Sequence, residues 1–103
     1  MTDPKQAKQC AEMLQAIAEP NRIRIIDCLI SGPKNVSELA KLLKVEIVNV
    51  SHHLGVLRTA GLVEDVKNGR FVEYSLHPKI FHNDSNKATY LDLGWCRVEI
   101  PHN

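Results

Sequence analysis

The hydrophobic pattern is clearest between residues 35 and 60, where two apolar stripes at helical spacing follow each other after a short break. Asn35 can cap the first helix, and Glu38 stands three residues later, so each side chain can bond the other's free backbone N–H. Gly61 follows the second helix, where a left-handed C-terminal residue is favoured. Two short helices in immediate succession cross steeply, so the pattern predicts a helix-turn-helix. The stripes consist of Val36, Leu39, Ala40 and Leu43, then Ile47, Val50, Leu54 and Leu57.

The outward face of the second helix, predicted over residues 47–60, is small, hydrogen-bonding and almost uncharged. An ordinary solvated helix face carries more Lys and Glu, whereas this kind of face can enter the major groove of DNA. Arg58, near the end of the same helix, is a further candidate DNA contact. The alternative interpretation is two purely structural helices in a small α/β domain. The face comprises Val48, Asn49, Ser51, His52, Gly55 and Thr59.

After the second helix, the period of the pattern changes to two, which predicts strands over residues 62–67 and 70–76. Asn68-Gly69 between them is a strong hairpin signal, because a two-residue turn of this kind needs positive φ at both positions. Lys67 and Arg70 flank the turn and make its tip basic. Directly behind a helix-turn-helix, residues 63–76 are expected to form a wing that contacts phosphates or the minor groove. Its candidate contacts are Lys67, Asn68 and Arg70.

The segments VSELAKLL and VSHHLGVLRTAGLVEDVKNGRFVEYSL resemble the ArsR/SmtB family of winged-helix repressors, and AEPNRIRIIDCLISGPKNVSEL resembles the lead-in to that motif. The resemblance implies a sequence-specific regulator that binds double-stranded DNA at an inverted repeat as a homodimer. It also implies that the N-terminal helix contributes to the dimer interface. The positions that match the family's best-known cysteine ligands hold Asn35 and Ser37, so that thiolate pair is absent.

Two further helices are predicted before residue 35. Asp3-Pro4 is a good start for the first, and Glu19-Pro20 ends it and starts the second. The first apolar stripe is broad for a short helix, so part of it is expected to face another subunit. That stripe comprises Ala7, Cys10, Leu14 and Ile17, widened by Ala11, Met13 and Ala18. In the second helix, Ile23, Ile26, Leu29 and Ile30 are expected to face inward, with Arg22, Arg24 and Asp27 outward.

Composition narrows the class of protein. The sequence has 103 residues, of which 44% are hydrophobic and 24% charged, as in a small globular domain. The sequence shows neither a signal peptide nor an apolar run long enough for a membrane span, which predicts a cytoplasmic protein with reduced cysteines. The net charge of +1 is not a nucleic-acid signature. DNA binding must therefore depend on where individual Arg and Lys residues lie.

The chain beyond residue 76 departs from the resembled family, whose members usually end in a long helix. Residues 90–100, YLDLGWCRVEI, alternate through Leu91, Leu93 and Trp95, and the apolar set then shifts as at a β-bulge. We therefore expect a mainly α winged helix-turn-helix over residues 1–82, with its small β-hairpin. A linker and extended tail over residues 83–103 replace the last helix. A lone terminal strand needs the edge of the wing sheet or of a partner subunit.

Sensing residues are less well marked. Cys28 lies in the helix where the resembled family's sulfur-sensing members carry a cysteine, but it does not match the usual position, which counting back from Gly32 places at Asp27. Cys28 and Cys96 are candidate sensing thiols, whereas Cys10 is expected to be a small buried hydrophobe. A zinc or copper site is an alternative, but its spacing is not diagnostic, so no cofactor is predicted. The residues that could form it are His77, His82, Cys96 and His102.

Two other classes of function remain as alternatives. One is a winged-helix protein-interaction module that does not bind DNA. The other is an enzyme, for which the sequence offers no glycine-rich phosphate loop and no Ser/His/Asp motif, so we predict none. Retardation of genomic DNA fragments separates the regulator from both.

Overall fold

Four helices precede the first long strand, and the first three begin at residues whose side chains bond the helix N-terminus. The structure, a computed structural model, describes residues 2–83 and 89–101. Asp3, Glu19 and Asn35 each accept a hydrogen bond from a backbone N–H of the helix that follows. Asn35 and Glu38 form both bonds of the predicted capping box, at 2.8 and 2.9 Å. The helices are α1 (Pro4–Ile17), α2 (Pro20–Leu29), α3 (Val36–Leu43) and α4 (Ile47–Thr59).

The turn between α3 and α4 is made by Lys44, which takes a left-handed conformation with φ of 56°. Its backbone N–H bonds the carbonyl of Ala40 and ends α3 within one residue. At the other end of α4, Gly61 has φ of +80°, and Leu62 donates to the carbonyl of Leu57 at 3.0 Å. Such bonds satisfy carbonyl groups that have no partner within the helix. Gly61 therefore has the left-handed C-terminal conformation that was predicted for it. The helix-turn-helix therefore has defined ends on both sides.

The core lies between the helices and both sheets. The sequence prediction is wrong for Ile23 and Ile47, which are exposed, and Ile25 is fully buried in place of Ile23. Because each residue turns a helix by about 100°, a two-residue error in the stripe moves a side chain to the opposite face. Leu14 and Ala11 of the broad α1 stripe are exposed, and this is the stripe of which part is expected to face another subunit. The buried apolar set is Cys10, Ala16, Ile25, Ile26, Leu29, Leu39, Leu43, Val50, Leu54, Leu57, Leu62, Val63, Leu76, Leu91 and Leu93.

The wing is a three-stranded antiparallel sheet rather than the two-stranded hairpin predicted. Its strands are β1 (Lys34–Asn35), β2 (Val63–Asn68) and β3 (Phe71–Leu76), in the order β1-β3-β2. Asn68 pairs with Phe71, so the turn residues are Gly69 and Arg70. Gly69 has φ of +65°, and Arg70 has no positive φ. The predicted Asn68-Gly69 turn is therefore wrong by one residue. The observed Gly69-Arg70 turn has glycine at its first central position, which is the sequence preference of a type II′ turn.

The described part of the tail is extended, as predicted, but it forms a sheet of its own; most of the predicted linker, residues 84–88, lies outside the described residues. The strands are β4 (Phe81–Asn83), β5 (Thr89–Asp92) and β6 (Arg97–Ile100), in the order β4-β5-β6. The prediction of a single bulged strand over residues 90–100 is wrong, since a turn at residues 93–96 separates β5 from β6. The prediction that the tail strand needs the edge of the wing sheet or of a partner subunit is also wrong. β5 instead pairs with β4 on one side and with β6 on the other. The predicted boundary between residues 82 and 83 falls within β4.

Two side chains fix this tail sheet on the helices. Leu91 and Leu93 are buried in the same core cluster as α1 and α2. Full burial of a leucine contributes about 1.5–3 kcal/mol to folding. Trp95, which shares their alternation in the sequence, is instead 61% exposed. Within the described ranges, no helix is long and apolar enough to cross a membrane.

Candidate nucleic-acid interface

The outward face of α4 offers short polar groups to solvent. Asn49, Ser51 and His52 are exposed, and Val48 is 70% exposed. Val50, Leu54 and Leu57 occupy the opposite face and are buried. The exposed set supplies an amide, a hydroxyl, an imidazole and one aliphatic group, which are the groups that read base edges in a major groove. These residues therefore lie on the accessible side of the helix, the side on which DNA contacts are expected.

His53, next in sequence to His52, points the other way and joins a polar network at the start of α2. Its Nδ1 lies 3.2 Å from Nη1 of Arg22 and 3.5 Å from Oε2 of Glu19. The Nε of Arg22 donates to the carbonyl of Ala16 at 2.6 Å. The network therefore connects α4, the candidate recognition helix, to the junction of α1 and α2.

Sequence reasoning missed this network. Arg22 is half-buried rather than outward, because its guanidinium reaches back to the end of α1. The adjacent histidines were a signal that could have found it. On one helix they point about 100° apart, so one of them had to leave the exposed face.

Glu19 receives two kinds of stabilisation in this network. Desolvation alone would raise the pKa of its carboxyl. The backbone N–H groups of Asn21 and Arg22, together with the electrostatic effects of the neighbouring His53 and Arg22, outweigh that effect and lower the pKa below its usual 4.5. The carboxylate form is therefore favoured by the folded state.

Arg58, a predicted DNA contact, forms an ion pair with Asp65 of β2, with 3.6 Å between Nη1 and Oδ2. Both side chains remain largely solvated, so the pair contributes at most about 1 kcal/mol. Its position matters more than its energy, because it connects the last turn of α4 to the base of the wing. Arg58 thus has a protein partner in addition to any role on DNA.

The wing tip is exposed and carries two cations. Lys67 and Arg70 are both open to solvent, and Arg70 is one of the two turn residues. The Nδ2 of Asn68 donates to Oε1 of Glu73 at 3.3 Å. Phe71 is exposed on the same face of the sheet as Asn68. The sequence signals this exposure, since Phe71 alternates in phase with Glu73 and Ser75.

The candidate sensing thiols lie in different surroundings. Cys28 is half-buried on α2, where burial and the neighbouring Asp27 raise its pKa. The Sγ of Cys96 lies 3.3 Å from the Sγ of Cys10 on α1. Cys10 is buried, as the sequence predicts, but its contact with Cys96 was not predicted.

The residues present do not fit the family's thiolate metal site. Asn35 is engaged in capping α3, and neither it nor Ser37 provides a thiolate. Across residues 2–83 and 89–101, no three His, Cys, Asp or Glu side chains converge where a metal ion could be held. His102, one of the ligands considered from the sequence, lies outside the described residues.

Comparison with known proteins shows the family to which this chain belongs. The model for bacterial regulatory proteins of the arsR family matches residues 19–65, which include the helix-turn-helix. The HTH-type transcriptional regulator NmtR of Mycobacterium tuberculosis is 41% identical over 100 residues, covering 97% of this chain and 78% of that protein. The chain belongs to the ArsR family. The resemblance seen in the sequence is confirmed, and this ArsR-family chain is a transcriptional regulator.

Other relatives agree with the fold. The transcriptional repressor SdpR of Bacillus subtilis is 30% identical over 74 residues, covering 72% of this chain and 82% of that protein. The homodimeric winged helix-turn-helix DNA-binding domain of Mb0332 from Mycobacterium bovis superposes with a TM-score of 0.69 at 28% identity, over 77% of this chain and 75% of that one. The winged helix-turn-helix prediction is therefore confirmed.

Proposed function

We propose that this ArsR-family regulator represses transcription by binding DNA, with α4 in the major groove and the β2–β3 tip on the phosphate backbone or in the minor groove. One observation carries the proposal: α4 exposes a short, uncharged, hydrogen-bonding face, and the adjoining wing exposes two cations. Base reading and phosphate attraction need these two kinds of surface. Binding chromosomal DNA would also place the protein in the cytoplasm.

The exposed groups of α4 suit direct reading of bases. The carboxamide of Asn49 can bond adenine in a bidentate manner, and the methyl groups of Val48 can contact thymine. Ser51 and His52 can bond either a base edge or a phosphate. These four residues lie in the N-terminal half of α4, the part of a recognition helix that reaches base edges. We infer that they set the sequence preference.

The wing supplies affinity rather than specificity. With a net charge of only +1, the whole chain attracts DNA weakly at long range. Lys67 and Arg70 therefore provide the local charge, and each phosphate they neutralise releases counterions. The Nδ2 of Asn68 donates one N–H to Glu73, and its second N–H can be donated to a phosphate oxygen.

We infer that the regulator works as a homodimer on an inverted repeat. The Mb0332 domain is homodimeric, and SdpR is a repressor. In this chain, Ala7, Ala11 and Leu14 of α1 remain exposed, in line with a second subunit covering that face. A two-fold dimer places its two recognition helices about 34 Å apart, one turn of DNA.

Selection from random DNA, followed by titration of the selected site against a scrambled one, tests the proposal. We expect at least a thousand-fold preference for the selected inverted repeat. Lys67→Ala and Arg70→Ala should weaken binding to both DNAs and reduce the salt slope by about 0.9 for each phosphate that is no longer neutralised. Lys79→Ala, at an exposed lysine outside the wing, is the matched control. Equal binding to both DNAs, or none, would reject DNA reading and favour the protein-interaction module.

A further inference from the structure

Two thiols that are 86 residues apart in the sequence meet in the fold. The Sγ atoms of Cys10 and Cys96 are separated by 3.3 Å, within hydrogen-bonding range for sulfur. Cys10 lies on α1, and Cys96 ends the turn that joins β5 to β6. The contact therefore joins the first helix to the tail sheet.

The turn that carries Cys96 is fixed from both sides. Within it, Leu93 donates to the carbonyl of Cys96 at 2.9 Å, and Gly94 donates to Oδ1 of Asp92 at 2.9 Å. Leu93 is buried in the core. A Cβ atom placed on Gly94 would lie 3.8 Å from Nε2 of Gln6 on α1, so the turn is close to that helix. The turn thus packs along the first half of α1, and packing brings the two sulfurs together.

We propose that Cys10 and Cys96 form a redox-active dithiol, which a low-molecular-weight disulfide converts into an intramolecular disulfide between α1 and the tail sheet. The thiolate of one cysteine attacks a sulfur of the small disulfide, forms a mixed disulfide and expels one small thiolate. The second cysteine, as thiolate, then attacks the protein sulfur of that mixed disulfide. The products are the Cys10–Cys96 bond and two small thiols, so the oxidant is reduced by the two electrons that the protein loses.

Exposure assigns the order of the two steps. Cys10 is only 2% exposed, whereas Cys96 is partly open to solvent. Cys96 therefore meets the oxidant, and Cys10 resolves the mixed disulfide. The hydrogen bond with Cys10, followed by burial, raises the pKa of Cys96. Since only the thiolate attacks, oxidation is slow at neutral pH and accelerates as the pH rises.

The bond would constrain nearly the whole chain. It encloses residues 10–96, and a cross-link over so long a loop stabilises mainly by restricting the unfolded chain. It also fixes α1, which lines an open groove together with the recognition helix. That groove is bordered by Glu12 and Gln15 of α1 and by Ser51 and His52 of α4. Oxidation thus fastens the tail sheet to the helix that borders the proposed DNA-reading face.

Oxidation of the native protein with glutathione disulfide, followed by mass spectrometry and peptide mapping, tests the proposal. We expect each chain to lose about 2 Da and the mapped bond to join Cys10 to Cys96, faster at pH 9 than at pH 7. Cys28→Ala is the matched control and should behave like the parent chain. Cys10→Ala should stop at a glutathione adduct on Cys96, and Cys96→Ala should leave Cys10 unmodified.

Mapping in the parent chain needs no variant to fold, so its result decides the assignment. A bond that includes Cys28, covalent dimers on a non-reducing gel, or thiols that stay free at pH 9 would each overturn it. The oxidised protein should also unfold at a higher temperature than the reduced one, and dithiothreitol should reverse the shift. An unchanged midpoint after complete bond formation would refute the proposed constraint on the chain.

Discussion

Arg22 of α2 reaches His53 of the recognition helix, with 3.2 Å between its Nη1 and the Nδ1 of the imidazole. Because Arg22 also bonds the carbonyl of Ala16, the contact sets α4 against the junction of α1 and α2. The neighbouring His52 is exposed. The two consecutive histidines therefore lie in different surroundings: His53 contacts the α1–α2 junction, and His52 is exposed on the proposed DNA-reading face.

Replacing each histidine by alanine should have different effects. His53→Ala should lower the free energy of unfolding by about 1–3 kcal/mol, since it leaves half-buried polar partners unsatisfied. It should also weaken binding to selected and scrambled DNA alike. His52→Ala should change stability by less than about 0.5 kcal/mol. Its effect should be a changed base preference worth about 1–3 kcal/mol. Urea unfolding and DNA titration measure both, and identical behaviour of the two variants would contradict the division.

Glu19 should make stability depend on pH at the acidic end. Its pKa is lowered in the folded state from 4.5, so its contribution is fully present above about pH 4.5 and is lost as the pH falls through the lower folded value. The parent chain should therefore lose more unfolding free energy between pH 5 and pH 3 than Glu19→Gln does. Urea unfolding at several pH values provides the comparison. Glu12→Gln, at an exposed site on α1, should retain the parental slope.

The wing turn can be tested by two substitutions that distinguish its register. Gly69→Ala should destabilise the wing by about 1–2 kcal/mol through its positive φ alone, because no neighbouring atom would obstruct the new methyl group. Asn68→Ala should cost much less, since Asn68 is a strand residue here. A turn centred on Asn68-Gly69 would instead make both substitutions costly. Amide hydrogen exchange of the wing strands reports the difference.

The tail sheet predicts a contrast between two large apolar residues. Leu93→Ala should cost about 2–5 kcal/mol, because it empties a buried site in the shared core. Trp95→Ala should cost little, because the indole is largely exposed. Trp95 is the chain's one tryptophan, so its emission reports this site directly. Emission of a buried indole at a concentration where the protein is monomeric would contradict the exposed position.

The parts of the fold that sequence could predict are those decided over a few residues. The capping box of Asn35 and Glu38 and the helix end at Gly61 need only their own neighbours, so the helix-turn-helix was readable. The hairpin was readable too, but Asn68-Gly69 and Gly69-Arg70 both allow a tight turn. The choice between them depends on how β2 and β3 align over their whole length. A local pattern could not decide that register.

The missed parts depend on contacts between distant segments. The two-residue strand β1 has no alternation to detect, and it exists because β3 lies beside it. Arg22 looked like an ordinary outward charge until α4 placed His53 next to it. The sequence pattern groups Cys96 with Cys28 and not with Cys10, because nothing in the spacing of the sequence brings α1 to the turn after β5. For the candidate site, the exposed face of α4 followed from helical spacing, but the ion pair of Arg58 with Asp65 did not.

The packing of the tail sheet on α1 also determines the order in which the molecule can be completed. During translation, α1 leaves the ribosome early, whereas Leu91 and Leu93 follow only after all four helices and the wing have been made. The helices can begin to pack as they emerge, since their contacts are local and form quickly. One side of α1 must wait, solvated, for the segment that covers it. The nascent chain therefore passes through a stage in which α3, α4 and the wing are complete, while the side of α1 that the tail sheet covers is still exposed to solvent.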